Sequence, residues 1–249
     1  MISLFSYQID FLSLAIILAV AILIGMSKTG VHGAGMLAVP LLAIVFGGQV
    51  SSGILLPILI LADIFGVWYY HKHAEWKYLK LLFPWALVGI IAGTVVGKYL
   101  NDATFKVIMA GIIILSVAIM IYLEKRKDQI PHSTLFASSS GIAGGFTSMV
   151  GNLAGTVMAV YFLSMRLPKN AYIGTTAWFF LVINWLKVPF HVFIWNTIKV
   201  DTFLLALISL PAILLGAYFG IVITKKLSER NYRWFIIGMT LISAVFMLF

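Results

Sequence analysis

The stretch GMSKTGVHGAGMLAVP, from Gly25 to Pro40, interrupts an apolar run with glycines and polar side chains. A second stretch, GGFTSMVGNLAGTVMAV from Gly144 to Val160, interrupts another apolar run, and the two align at an offset of 120. Membrane proteins that break their helices at corresponding points of two halves usually open a polar site inside the bilayer. The two stretches therefore predict a duplicated membrane core with a solute site between its copies.

Composition makes lipid the main solvent of this chain. Of its 249 residues, 62% are hydrophobic and 10% are charged, whereas soluble domains carry about 25% charged residues. The net charge of +9 comes mostly from lysines and arginines in short loops, so it predicts orientation in a bilayer and no nucleic-acid partner. The absence of cysteine excludes disulfides and thiolate chemistry. We expect no cofactor, no metal and, because Asp10 precedes the first apolar run, no cleaved signal peptide.

Five apolar segments can be drawn in each half, which predicts an all-α integral membrane protein. A spanning helix needs about 20 residues, so the third, fourth and fifth segments of each half are the expected spans. The first two segments of each half are expected to form a helical pair that meets at the glycine-rich stretch, either crossing fully or re-entering. The segments are 9–27, 34–47, 52–71, 81–99 and 104–123, then 134–147, 153–165, 171–195, 202–224 and 232–248.

The charges of the loops predict the orientation. With the N-terminus outside, 13 of the 17 lysines and arginines lie on the cytoplasmic side, as the positive-inside rule requires. We therefore expect a multi-pass protein of the cell (inner) membrane with both termini outside. Its parts are a first repeat over 1–123, a cytoplasmic linker over 124–133 and a second repeat over 134–249.

The later parts of the two halves also align, at an offset of 127. Because each half crosses the membrane an odd number of times, the second copy is expected to be inverted relative to the first, the arrangement used for alternating access. The aligned pairs are Pro84 and Pro211, Gly89 and Gly216, Gly93 and Gly220, Lys98 and Lys225, and Gly111 and Gly238.

The two breaks carry hydrogen-bond donors and no acidic residue, which favours an anion because a cation site would need carboxylates. Glycines allow a ligand or another backbone to approach closely, and the helix expected to start near Ala34 would present free amides to an anion. As alternatives, the glycines only permit close packing, Lys28 snorkels to the surface, or His32 is structural. The candidate binding residues are Ser27, Lys28, Thr29, His32, Gly33, Ser148, Asn152 and Thr156.

The third segment of each half adds polar groups within an apolar span. Thr176, Asn184 and Lys187 recur at helical spacing and share one face, and a lysine in a span is costly unless it faces a cavity or a partner. Asp63 is expected to pair with a buried lysine or, like His191, to carry a proton. Alternatively, Lys187 snorkels outward and His191 lies at the interface.

The chain resembles the sulfite exporter TauE/SafE family, also called the toluene sulfonate uptake permease family, over nearly its whole length. The resemblance rests on the glycine-rich break near the start of each half, on MLAVPLL (Met36 to Leu42) and on LPKNAYIGTTA (Leu167 to Ala177). It implies a prokaryotic-type permease that moves sulfur-containing anions such as sulfite or sulfonates, mostly outward.

These observations favour a secondary transporter, an exporter in direction, of a small sulfur-containing anion, with the lipid bilayer as its other partner. A passive anion channel of the same fold is the alternative, and a membrane scaffold is a third possibility. No HExxH motif, GxSxG motif or pair of carboxylates is present, so no enzyme is expected. The sequence predicts neither the oligomeric state nor the coupling ion.

Overall fold

The computed structural model describes residues 2–4, 7–46, 48–99, 104, 111, 114–115, 118–119, 121–122 and 133–248. Within them the protein is helical apart from one short antiparallel hairpin near the N-terminus, in which Ile2 lies opposite Ile9, so the predicted all-α membrane class is confirmed. The linker over 124–132 and most of the segment 104–123 lie outside the described residues.

The helices follow the predicted segments closely. The first half contains β1 (Ile2–Leu4), β2 (Tyr7–Ile9), α1 (Phe11–Lys28), a 3₁₀ turn (Ala34–Leu37), α2 (Ala38–Phe46), α3 (Gly48–Tyr70), a second 3₁₀ turn (His71–His73) and α4 (Trp76–Gly97). The second half contains α5 (Thr134–Gly151), α6 (Ala154–Ser164), α7 (Lys169–Phe193), α8 (Val200–Ile208), α9 (Leu210–Lys226) and α10 (Glu229–Leu248).

Several of these helices are long and apolar enough to cross a bilayer. Among the described residues there are four, namely Phe11–Lys28, Val50–His73, Trp76–Gly97 and Lys169–Ile194, and the pair α8 and α9 makes a fifth if it counts as one span. Helices suit this solvent because they satisfy their own backbone groups, which lipid cannot do. The protein is therefore a multi-pass membrane protein.

Among the differences between the observed and the predicted bounds, three change how a segment begins, bends or ends. The segment expected over 202–224 is divided at Ser209, and its two parts are bent by 52°, because Pro211 cannot continue a preceding helix. The chain after Gly33 enters a 3₁₀ turn before α2 begins, so no α-helix starts at Ala34. The segment expected over 134–147 continues to Gly151, because its glycines are used for packing.

Glycines bring helices of the two halves into backbone contact. At four glycines, an added Cβ atom would clash with a carbonyl oxygen of the facing helix. Because lipid tails are as apolar as leucine, helices in a membrane associate through such close packing rather than through the hydrophobic effect. The contacts are Gly25 against Ile213, Gly145 against Ala86, Gly216 against Ile22 and Gly89 against Ile142.

These four contacts form two related pairs. The helix α1 packs on α9, and α5 packs on α4, so the first helix of each half contacts the fourth segment of the other half. The residues of the two interfaces differ by the same offsets, 120 and 127, that align the two halves of the sequence. A two-fold relation between the halves predicts this reciprocity, and the inverted direction of the second half stays a prediction.

The core is divided into two apolar clusters. One takes its buried side chains mainly from α1, α2, α3, α8 and α9, with Ile17, Leu42 and Ile54 among them. The other takes them mainly from α4, α5, α6, α7 and α10, with Leu82 and Phe162 among them. The helices α3 and α7 pack against each other where the two clusters meet, and the polar groups of the protein's interior lie near this contact.

Candidate functional site

The first break needs glycine at two positions. Gly30 and Gly33 have φ angles of +127° and +104°, which residues with a Cβ atom rarely adopt. A side chain at Gly33 would also meet Met239 of α10, and one at Gly30 would meet Thr224 of α9. The chain can therefore leave α1 after Lys28 and turn back within the protein.

The second break depends on asparagine in a left-handed conformation. Asn152 ends α5 with a φ of 54°, and asparagine tolerates this region better than most residues. Its backbone N–H donates to the carbonyl of Ser148 at 3.0 Å. The amide side chain is thereby held next to the start of α6, at the position that corresponds to His32 of the first break.

A cavity lies between the two breaks, and both breaks line it. Its volume is about 50 Å³. This exceeds the roughly 10–15 Å³ that a cavity needs to hold a water molecule. Leu59 of α3 and Phe180 of α7 form part of its apolar wall. Its polar lining comes from Ser27, Lys28, His32, Ser148, Asn152 and Asn184, with Thr240 of α10.

Seven of the predicted binding residues therefore lie at one cavity. They are Ser27, Lys28, His32, Gly33, Ser148, Asn152 and Asn184. Three predicted threonines do not line it, because their hydroxyls donate to backbone carbonyls, which is the common alternative for a threonine in a helix. Thr29 donates to Gly25 and Ala217, Thr156 to Leu153, and Thr176 to Tyr172 and Ile173.

Lys28 is held by a buried carboxylate. Its Nζ atom lies 2.9 Å from Oδ1 of Asp63, and their side chains are 9% and 0% exposed. Gly66 lies one turn after Asp63 on α3, and a Cβ atom there would be 2.5 Å from the carbonyl oxygen of Lys28, so this glycine lets the break approach α3. The Lys28 ammonium also lies 4.1 Å from the centre of the Phe180 ring, a cation–π contact.

Asn184 connects this ion pair to α7. Its side-chain amide donates to Oδ2 of Asp63 at 2.6 Å, and the same residue lines the cavity. Asp63 therefore has a partner at each oxygen, an ion pair with Lys28 at Oδ1 and a hydrogen bond from Asn184 at Oδ2. Two of the groups that face the cavity are thus also the groups that hold the buried carboxylate.

Lys187 does not line the cavity but is hydrogen-bonded to the second break. Its side chain is 0% exposed, and its Nζ atom donates to the Ser148 carbonyl at 3.1 Å and to Oδ1 of Asn152 at 2.5 Å. The Nδ2 atom of Asn152 in turn donates a hydrogen bond to the Ser52 hydroxyl of α3 at 2.9 Å. No carboxylate of the described residues forms an ion pair with Lys187. This geometry matches a lysine facing a partner, and not one that reaches the membrane surface.

The formal charges around the cavity leave one net positive charge. Lys28 and Lys187 contribute two ammonium groups, and Asp63 contributes one carboxylate that is bonded to Lys28. Within the described part of the chain, the electrostatic partners of Asp63 are these two lysines. The site thus combines a cationic excess with several neutral donors, in an interior where charges are weakly screened.

His32 is held from both ring nitrogens. Its Nε2 atom lies 2.9 Å from Oγ1 of Thr176, and its Nδ1 atom lies 3.0 Å from the hydroxyl of Tyr232. Both hydroxyls can also donate to backbone carbonyls, Tyr232 to Gly30 at 2.9 Å and Thr176 to its own helix. A neutral imidazole donates from one ring nitrogen and accepts at the other, so one of these hydroxyls accepts a hydrogen bond from His32 and the other donates one to it. Thr176 therefore does not line the cavity but is hydrogen-bonded to His32, which does.

His191 lies apart from this network. Its Nδ1 atom is 2.8 Å from Oγ1 of Thr197, and its ring meets that of Trp195 edge to face at 5.0 Å. The residue is buried and does not line the cavity. The structure therefore brings Asp63 to the site but not His191. The described residues contain no group of three histidines or acidic residues that could hold a metal.

Sequence reasoning missed three polar contributors to the site: Ser52, Tyr232 and Thr240, the last of which lines the cavity. Ser52 binds the amide of Asn152, and Tyr232 binds His32. Ser52 is equivalent to Tyr172 at the offset of 120, and Tyr172 contacts His32 ring to ring at 5.1 Å. The repeat could have indicated Ser52, whereas Tyr232 is one of several aromatic residues near helix ends and gives no separate signal.

Comparison with known proteins identifies the family of the chain. The family model described as "Sulfite exporter TauE/SafE" matches residues 17–247, which include both breaks and the cavity between them. No curated protein and no solved structure matches the chain. The chain belongs to the sulfite exporter TauE/SafE family.

Proposed function

We propose that the protein is a secondary transporter, working as an exporter, of a small sulfur-containing anion such as sulfite or an organosulfonate. The anion binds in the cavity between the two breaks. The observation that carries the proposal is the convergence of ammonium, amide, imidazole and hydroxyl groups from both halves on that one cavity. Family membership supports the same class of solute.

The charge of the site supports an anion. Placing charged groups inside a membrane protein is costly, so they mark a solute or ion pathway by default. Here one ammonium group remains in excess over the buried carboxylate. This excess attracts an anion, which would receive charge-assisted hydrogen bonds, the stronger kind.

The size of the cavity supports a small solute. A cavity of about 50 Å³ favours a small ion such as sulfite over a larger solute. Three glycines, Gly33, Gly35 and Gly155, line the cavity. Because they have no side chain, backbone groups at these positions can approach the ion. Phe180 and Leu59 leave one side apolar, where the non-oxygen part of a sulfonate would lie.

The division into two clusters supports alternating access. Each cluster contains helices of both halves, and the cavity lies where they meet. Rocking of one cluster against the other would open the cavity first to one side and then to the other. On this proposal the glycine interfaces between α1 and α9 and between α4 and α5 move as rigid units.

Binding of sulfite to the purified protein tests the proposal. We expect Lys28→Gln to weaken binding about tenfold to a hundredfold, since a hydrogen bond to a charged group contributes about 1.5–3 kcal/mol. Asn152→Gly, which keeps the left-handed backbone and removes the amide, is expected to weaken it less. Lys72→Gln removes an equal charge from an exposed position and is the matched control. Equal affinity in all four proteins would refute the assignment of the site.

Flux measurements separate the transporter from the channel. In vesicles that contain the protein, a transporter exchanges labelled anion for unlabelled anion against the label's gradient. A passive channel of the same fold only lets the label run down its gradient. The absence of exchange, together with intact binding, would favour the channel.

A further inference from the structure

Asp63 shares its two partners, the ammonium of Lys28 and the amide of Asn184, with the cavity. Lys28 holds Oδ1 at 2.9 Å and Asn184 holds Oδ2 at 2.6 Å, and both residues line the cavity while Asp63 itself does not. An anion that enters the cavity meets these same two groups among its polar lining. The carboxylate of Asp63 therefore occupies the donors that an incoming anion would use.

An anion in the cavity makes an ionised Asp63 unfavourable in either of two ways. If the anion takes the donors, a carboxylate that is 0% exposed is left without partners, which costs several kcal/mol in a protein interior. If the anion lies beside Asp63 and shares Lys28, two negative charges lie close together, and this disfavours the ionised carboxyl. Protonation of Asp63 relieves both costs.

No other group facing Asp63 takes over this role. The charged groups that act on Asp63 are Lys28 of α1 and Lys187 of α7. Lys187 is already bonded to Ser148 and Asn152. Among the described residues of the other helices that pack on α3, α2 has no charged side chain, and those of α8 and α9 lie at the helix ends, at Asp201 and at Lys225 and Lys226. His32 lines the cavity, but its two nitrogens are bonded to Thr176 and Tyr232.

We propose that Asp63 is an internal counterion that the substrate anion displaces from Lys28 and Asn184, and that it takes up one proton from solvent as the anion binds. One anion and one proton then move together through the site. For a monoanion the net charge of the site is unchanged by this exchange, so that transport is electroneutral. This inference rests on the proposed function, because it requires that the cavity binds an anion.

Calorimetry of sulfite binding tests the exchange. In buffers of different ionisation enthalpy, the observed heat reports how many protons the complex takes up. We expect the wild type to take up about one proton more per sulfite than Asp63→Asn does. Because both proteins receive the same anion, protonation of sulfite itself cancels in the difference. Asp201→Asn, an acidic residue at the start of α8, is the matched control and should behave like the wild type.

The outcomes separate the exchange from the proposed function. Sulfite binding with equal proton uptake in wild type and Asp63→Asn would overturn the exchange and leave the function intact. No sulfite binding to the wild type would overturn both. If Asp63→Asn does not fold, an infrared difference spectrum of the wild type decides: added sulfite should produce the C=O stretch of a newly protonated carboxyl, and its absence would refute the proposal.

Discussion

Substituting Gly145 tests the helix packing that positions the cavity. A Cβ atom at this position would clash with the carbonyl oxygen of Ala86 on α4 and would lie 2.8 Å and 3.0 Å from its C and Cα atoms. All three atoms belong to backbone in the middle of a helix, so they cannot move aside as the end of a flexible side chain can. We expect Gly145→Ala to force α4 and α5 apart.

The size of the effect follows from this geometry. Overpacking costs about 1–3 kcal/mol, and a clash with helical backbone belongs at the upper end of that range. For a chain of this size each kcal/mol lowers the melting temperature by about 2–4 °C, so about 3 kcal/mol corresponds to about 6–12 °C. The assay is thermal unfolding of the protein in detergent.

Gly238 offers a matched control. It also lies within a helix, α10, but a Cβ atom there would have nothing within 4 Å. Alanine favours a helix over glycine by about 1 kcal/mol, so Gly238→Ala is expected to melt at the same temperature as the wild type or higher. If Gly145→Ala also melts like the wild type, the close contact between α4 and α5 does not exist and the reasoning is refuted.

Two further predictions concern the ion pair and the orientation. In a double-mutant cycle, Lys28→Met and Asp63→Asn should each lower the free energy of unfolding by about 3–5 kcal/mol, since each leaves a buried group without its partner. The double variant should lose much less than the sum of the two. Additive losses, measured by thermal unfolding, would speak against the ion pair. The chain has no cysteine, so Ser228→Cys, at an exposed position between α9 and α10, supplies a single thiol for labelling. An impermeant maleimide should reach it only from the cytoplasmic side, and labelling from outside would reverse the predicted orientation.

The gathering of these residues at one cavity was predictable because polar residues are conspicuous in an apolar sequence. Ser27, Lys28, His32, Asn152 and Asn184 each interrupt a run that hydrocarbon would otherwise fill, and the structure gathers all five at one cavity. Spacing on a helix face also placed Asn184 and Lys187 together. For such residues, the cost of burial makes sequence position alone informative.

The pairing of those residues was not predictable to the same degree. Asp63 was expected to have a lysine partner, but Lys28 and Lys187 were both available, and they lie on different helices. The choice depends on the approach of the first break to α3 at Gly66, a tertiary feature with no local signal. The hydroxyls of Thr29 and Thr156 were equally ambiguous, because a threonine can bond to its own backbone or to a ligand.

The glycines of the two stretches carry the same sequence signal but have two different uses. Gly30 and Gly33 permit the turn at the first break through their positive φ angles. Gly25 and Gly145 lie inside intact helices, where they permit contact with α9 and α4. Both uses require the absence of a side chain. Glycine content could therefore indicate that the regions are breaks or close contacts, but it could not show where each helix ends.

The most direct measurement of the central claim is the position of a bound anion. Selenite is a close analogue of sulfite, and its selenium atom gives an anomalous signal in a crystal of the complex. We predict a single anomalous peak in the cavity, within hydrogen-bond distance of Lys28 and next to Asn152 and Asn184. A well-occupied peak elsewhere in the protein, with the cavity empty, would contradict the account.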